Sequence, residues 1–246
     1  QHNVILNVDV QNGGSSVFST TSTPMTLNVM DIDTLITNTL SPQSFGYHQI
    51  NFWASSDSFP TTDTISRGTI VTDTVYAIDF DWDSDGANAG SGEKLGRSCG
   101  GQALGNAFDI YADDTATSIS FHVHGESVPG AELTVELYEI DPFVTPYTPL
   151  YLETSDDYVI LESDTNNWVT LKLSEPTKVY AGFTYIAVVK GYVNPIDTSL
   201  ISRTYNNNTL SFIQDNGCNM NSANPSGTWY SASNRAFMIR LNLGNI

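Results

Sequence analysis

The sequence predicts an all-β protein built as two sandwiches, and three observations carry that prediction. Period-two alternation of apolar and polar residues recurs along the chain, while a sustained 3.6-residue pattern never develops. Stretches rich in β-branched and aromatic residues are separated by clusters of Gly, Pro, Asn and Ser, the punctuation of strands. At 246 residues the chain can form one large β domain or two smaller ones, each with a proper core.

In residues 1 to 79 the strand-like stretches are "NVILNVDV", "MTLNVM", "YHQINFWASS" and "GTIVTDTVYAIDF", with "QNGGSS" and "NTLSPQSFG" as turns between them. Four or so strands in about 80 residues suit a small immunoglobulin-like sandwich lacking its first strand. After Asp79 the texture changes: residues 83 to 106, "DSDGANAGSGEKLGRSCGGQALGN", are rich in glycine and small residues and read as a long loop or latch. Beyond it come "AFDIYA", "TSISFHVH", "AELTVELYEI", "PLYLE", "DYVIL", "WVTLKL", "TKVYAGFTYIAVVKGY", "LSFIQD" and "RAFMIRLNL". Roughly nine strands in about 160 residues suit a two-sheet, jelly-roll-like sandwich. The expected domains are therefore 1–79, immunoglobulin-like, and 80–246, jelly-roll-like.

Nine Lys plus Arg against 27 Asp plus Glu give a net charge of −18. Phosphate contacts need clustered basic residues, so a nucleic-acid partner is excluded as an expectation. No run of about 20 apolar residues exists to span a bilayer as a helix. The chain opens at "QHNVILNVDV" with neither an initiator Met nor a signal peptide, and reads as a mature or internal segment of a longer protein. Cys99 and Cys218 are far apart, outside any CxxC or Cys/His cluster. In a secreted chain they would form one disulfide stabilising by about 3–5 kcal/mol; in a cytosolic one they would remain two thiols.

The run "DFDWDSDG" alternates Asp79, Asp81, Asp83 and Asp85 with Phe80, Trp82 and Ser84 before Gly86. Fully extended, the four carboxylates would share one face about 6.7 Å apart, each neighbouring pair repelling by roughly 0.6 kcal/mol in water-like dielectric. Asp81, Asp83, Asp85 and Gly86 match the first half of an EF-hand loop, whose oxygens suit calcium. Position twelve, however, is Gly92, Glu93 comes one residue late, and no helices flank the run. The expectation is a non-EF calcium site on the four aspartates, completed by backbone carbonyls, Asn88, Glu93 or a distant residue; the alternative is a solvated interdomain hinge.

Other constellations are weaker. His122 and His124 in "HVH" would share a strand face as zinc ligands do, yet no third ligand sits at a diagnostic spacing, so two surface histidines are the simpler reading. Glu132 and Glu136 imitate a glycosidase pair, but alternation in "AELTVELYEI" makes them solvent-facing. No GxSxG, cysteine-protease signature or phosphate loop is present, so an enzyme is not expected. Trp53 and Trp168 lie in strand patterns and read as core, whereas Trp229 and Tyr230 in "NPSGTWYSASN" are the candidates for an exposed, glycan-stacking pair.

The pattern of residues 1 to 79, with Gly46 before "YHQINFWASSD" and the "DT" at Asp63 and Thr64, resembles the immunoglobulin-like, CARDB-type repeats of secreted and surface proteins of Bacteroidetes. Residues 107 to 191 look like the jelly-roll modules that often follow such repeats. The resemblance implies a type IX secretion cargo whose sorting domain lies outside this segment. It also gives meaning to four short matches to the O-glycosylation pattern of that phylum, "DTL" at 33, "DTI" at 63, "DTV" at 73 and "DTA" at 114. The sequon Asn207 to Thr209 would matter only in a eukaryotic host.

The functional expectation is a non-catalytic segment of a secreted or cell-surface protein, serving in display, adhesion or accessory binding. Its partners would be a glycan or a cell-surface protein, together with secretion machinery reached through regions outside the segment. The alternative is a carbohydrate-binding module attached to a larger exported enzyme.

Overall fold

The computed structural model describes residues 1–41, 44–60, 62–79, 91–97, 100–193, 198–204, 210–216, 227–232 and 235–244. The chain divides into two compact units, Gln1–Asp73 and Thr74–Ile246. The division falls before the 79/80 boundary read from the sequence, because Val75 and Tyr76 pair with the last strand of the second unit.

In the first unit β1 (Ile5–Asn12), β2 (Ser15–Thr21), β3 (Gly46–Ser55) and β4 (Ile65–Val71) form one antiparallel sheet, ordered β2-β1-β3-β4. Asn12 pairs with Ser15, so the β1–β2 hairpin closes through Gly13 and Gly14 alone. Both have positive φ, 57° and 81°, the conformation a type I′ turn requires and glycine supplies without strain. "QNGGSS" is thus a hairpin turn, and the polar "SSVFSTT" after it is a strand the alternation did not reveal. "MTLNVM" is not a strand. Both edges of β1 are already occupied by β2 and β3, so Met25 bridges only to Val4 and Leu27 bonds only Gln1, ahead of β1, while Val29 and Met30 are 92% exposed. Among the described residues this unit has no second sheet to close an immunoglobulin-like sandwich.

The second unit begins with β5 (Val75–Tyr76), β6 (Ser91–Lys94), β7 (Gly96–Arg97), β8 (Gly100–Asp109), β9 (Asp114–His122), β10 (Glu132–Ile140), β11 (Leu150–Thr154) and β12 (Tyr158–Val159). After a 3₁₀ turn at Glu162–Asp164 come β13 (Trp168–Val179), β14 (Thr184–Gly191), β15 (Leu200–Thr204) and β16 (Ser211–Asn216). The last three are β17 (Trp229–Ser231), β18 (Ala236–Phe237) and β19 (Ile239–Leu243). One large sheet runs β11-β10-β14-β8-β16-β17, with β12 added on β10 and β7 on β8; smaller sheets run β13-β9-β19-β5 and β18-β15-β6. The main core joins all three: Leu104, Leu133, Val135 and Val189 of the large sheet pack with Phe121, Ile239, Leu241, Ile201 and Phe237. The all-β sandwich expected from alternation is what forms.

The main surprise is β8. The end of the stretch read as a Gly-rich latch, from Gly100 to Asn106, opens a central strand, paired with β14 on one side and β16 on the other. Its small residues are there for space. A Cβ on Gly101 would meet the Gly191 carbonyl oxygen at 2.1 Å, and one on Gly105 would meet Ile186 Cγ2 at 2.5 Å. Glycine thus marks close approach of neighbouring strands here. Asn106 on the same strand is fully buried and donates to the carbonyls of Phe237 (2.6 Å) and Ile239 (3.0 Å), while Ser211 donates to its oxygen (2.9 Å). These bonds satisfy the backbone where the chain leaves β18 for β19, passing from one small sheet to the other.

Candidate functional site

The outer face of the large sheet follows from register. Glu136 pairs with Val188, Thr134 with Lys190, Lys190 with Ala103 and Ala103 with Gln214, so these side chains form adjoining rows on one face. Toward the far end of β10 the face carries a small apolar cluster of Ile140, Ile186, Val188, Phe212 and Trp229, with Tyr138 and Tyr147 packed against it. Trp229 is held there by an edge contact with Tyr138, 5.4 Å between centroids, and by a strand bridge to Tyr147.

Beside this apolar wall lies the polar part of the face. Lys190 Nζ donates to Glu136 Oε1 at 2.8 Å, and the Tyr138 hydroxyl donates to the other oxygen of the same carboxylate. Glu136 is buried while the Lys190 side chain keeps 34% of its surface. Burial, and then the hydrogen bond to Glu136, push the Tyr138 phenol well above its ordinary value. Two exposed rings flank the pair: Tyr151, 49% exposed and edge-on to Tyr138 at 5.7 Å, and Tyr192, 39% exposed, whose hydroxyl donates to Asp157 at 2.7 Å. A reachable ammonium between two rings can hold a ligand. The Glu136 carboxylate, closed by two donors, is not a free acid or base.

The residues singled out from sequence fare differently. Trp229 is buried, 5% exposed, and Tyr230 is half-buried against the main core, so the exposed stacking pair expected there is corrected: Trp229 faces the apolar cluster because β17 joins the sheet edge. Trp53 is half-buried, as is Trp168. Glu132 is exposed as expected, whereas Glu136, on the same face of β10, is buried beneath the Lys190 ammonium and the Tyr138 hydroxyl that it bonds. His122 is not a surface histidine. It is 1% exposed, bonds Ser202 through Nδ1 at 2.8 Å and meets the Trp168 ring edge-on at 5.5 Å.

Asp79, the first of the four expected calcium ligands, is a structural acid. Arg240 donates to both its oxygens, Nη2 to Oδ2 at 2.6 Å and Nε to Oδ1 at 3.3 Å, and the guanidinium lies 3.7 Å over the Trp168 ring. Glu93, a proposed completing ligand, faces Arg235 at 2.8 Å and Arg203 at 3.6 Å. Asp81, Asp83 and Asp85 lie outside the described residues, as do Cys99 and Cys218 and the sequon at 207–209. Among the described residues no cluster of three or more His, Cys, Asp or Glu is arranged to hold a metal ion. No described helix is long and apolar enough to cross a membrane.

The fold and this face define an all-β, antiparallel sandwich protein with a polar, tyrosine-flanked sheet surface. No known family matches the chain, and no curated protein is similar to it. Among solved structures it is similar to the clostridial cysteine protease Cwp84 after propeptide cleavage, with a TM-score of 0.45 and 11% identity over 100% of this chain and 66% of that one. It is also similar to the cysteine protease and lectin-like domains of Cwp84, a surface layer associated protein of Clostridium difficile, with a TM-score of 0.40 and 9% identity over 100% of this chain and 59% of that one. The chain thus spans under two thirds of the length of either.

Proposed function

We propose that the chain is a non-catalytic segment of a secreted or cell-surface protein, serving in display, adhesion or accessory binding. One observation carries the reading: each buried or nearly buried carboxylate described above has intramolecular donors. Asp79 has Arg240, Glu93 has Arg235 and Arg203, and Glu136 has Lys190 and Tyr138. Asp164 likewise receives the Tyr158 hydroxyl and the Leu161 amide, both at 2.8 Å. Hydrolysis of glycosides or peptides requires acids held free in a cleft; these acids hold strands together instead.

The test is to incubate the protein with immobilised glycans, fixed bacterial and host cells, and chromogenic glycoside and peptide substrates. Binding to a surface without turnover is expected. Turnover abolished by Glu136→Gln would sink the reading.

The alternative, a carbohydrate-binding module of a larger exported enzyme, is favoured by the exposed Tyr151 and Tyr192 beside Lys190. With Trp229 buried, those tyrosines would carry the stacking. Glycan-array signal lost in Tyr151→Ala and Tyr192→Ala, and kept in a surface variant on another face, would establish it.

Export as a type IX cargo of the Bacteroidetes kind is part of the proposal. Thr34, Thr64 and Thr74 of the short glycosylation matches are exposed, while Thr115 of "DTA" lies in β9. Intact-mass measurement of the protein secreted from such a host should show hexose-scale additions lost in Thr34→Ala and Thr64→Ala. Calcium binding is retained as a proposal for Asp81, Asp83 and Asp85, tested by the effect of EDTA on the melting temperature.

A further inference from the structure

The strand register brings three loops to one end of the second unit. Ile140 pairs with Thr184 and Thr184 with Asp109, so the turns leaving β10 and β8 and the one entering β14 emerge side by side. They carry exposed rings: Tyr111 at 82%, Phe143 at 93%, Tyr180 at 51% and Phe183 at 49%. Several exposed aromatics on neighbouring loops are uncommon on a protein surface that has no partner.

The loops are also fixed. Ile110 N donates to the Phe183 carbonyl at 3.0 Å and Gly182 N to the Ile110 carbonyl at 2.8 Å. Ala181 N donates to Asp113 Oδ1 at 2.9 Å, and Tyr180 N to the Tyr185 hydroxyl at 3.1 Å. Phe143 N donates to Asp141 Oδ1 at 3.0 Å. The backbone that carries the rings is therefore fixed before any ligand arrives, which lowers the ordering cost of binding.

The charge around them is mainly negative. Asp109, Asp113, Asp114, Glu139 and Asp141 occupy the same strand ends and loops, and the described cation there is Lys178, which donates to Thr115 Oγ1 at 2.8 Å. Arg240, Arg203 and Arg235 of this unit are committed elsewhere, to Asp79 and to Glu93. A neutral ligand would desolvate these carboxylates without replacing their hydration, and an anionic one would be repelled.

We propose that this aromatic, acid-rimmed end is a docking surface for a lysine- and arginine-rich segment of a partner protein. Ammonium and guanidinium groups would lie over the Tyr111, Tyr180 and Phe183 rings and pair with Asp113, Asp141 and their neighbours. This surface is separate from the Tyr151–Tyr192 face, so it stands or falls independently of the glycan reading.

The experiment titrates the whole chain with a synthetic fluorescent peptide alternating Lys and Arg with Gly and Ser. The controls are the same peptide with Glu at the basic positions and a neutral oligosaccharide mixture, all at about physiological ionic strength. The expected result is saturable binding of the basic peptide only, weakened about tenfold or more in Tyr111→Ala/Tyr180→Ala/Phe183→Ala and unchanged in Tyr151→Ala. Asp113→Asn/Asp141→Asn should weaken it further and flatten its salt dependence. The proposal is overturned if the wild-type chain does not bind the peptide, if the triple variant binds as tightly as wild type, if Tyr151→Ala loses as much, or if the neutral sugars compete. All four rings are exposed, and circular dichroism on each variant confirms that a loss is not unfolding.

Discussion

Val10 is the one apolar side chain of Gln1–Asp73 that is fully buried among the described residues, whereas Thr74–Ile246 encloses a continuous core from Leu95 to Leu243. The first unit is a single sheet with both faces half-covered, and its order comes from backbone ladders and polar contacts. His48, 1% exposed, bonds the Gly46 carbonyl at 3.0 Å and Asn12 at 3.1 Å; Asn3 donates to both oxygens of Asp57; Ser66 donates to Asn51. Each such bond contributes about 1 kcal/mol. The second unit adds to its polar contacts a continuous buried apolar core. Similar strand chemistry therefore yields two kinds of stability, according to whether a second layer covers the sheet.

The sharpest way to break that contrast is by core truncation. Phe121→Ala should cost about 3–5 kcal/mol in the second unit, and Val10→Ala no more than about 2 in the first. Urea unfolding followed by hydrogen exchange in each unit would check both, and equal costs would contradict the comparison. Next comes the ion pair on the outer face of the β13-β9-β19-β5 sheet. Arg240→Ala should cost about 3–5 kcal/mol by leaving Asp79 buried and unpaired, while removing both charges in Arg240→Met/Asp79→Leu should recover much of the loss. A double variant as unstable as the single one would mean that the guanidinium acts mainly through its packing on Trp168.

Glycine substitution sharpens the comparison at smaller scale. Gly105→Ala would press on Ile186, Val188 and the Ala187 carbonyl and should cost about 1–3 kcal/mol. Gly68→Ala would press first on the ring of Tyr47, which is 50% exposed and can swing away, so a loss under about 1 kcal/mol is expected, read as a small drop in melting temperature.

The smallest effect is a pH dependence. Burial, and then the hydrogen bond to Asp164, push the Tyr158 phenol up to about 12. Its folded value lies above its unfolded one near 10, so the stability it contributes is complete below about pH 10 and is lost as pH rises toward 12. The urea midpoint should therefore fall over that window. Tyr158→Phe should start about 1 kcal/mol lower at neutral pH and fall less steeply.

Much of the strand pattern was legible in sequence. β10 and β19 lie within alternating stretches and β1, β3, β9 and β13 overlap them, while "TKVYAGFTYIAVVKGY" covers the end of β13 and all of β14, divided by the turn at 180–183. What alternation missed was polar or small: β2, whose side chains are mainly Ser and Thr, and β8, whose glycines make room for Ile186 and the Gly191 backbone. The candidate site was half legible. Glu136 stood out as an acid on a strand, but its partner Lys190 lies 54 residues away, and only the β10–β14 register brings the two together. Trp229 was read as exposed from its polar neighbours, because β17 has too few residues to show a pattern.

By itself the sequence determined the fold class, since period-two alternation is a local property that survives in any arrangement of the strands. It also determined the acidic character, a net charge of −18. The tertiary structure decided which glycine-rich stretch lies at the centre of a sheet, which acids are closed by arginine or lysine, and which rings face solvent. These depend on the register of strands distant in sequence and on whether a second layer covers a face, and neither is written in any short stretch of residues.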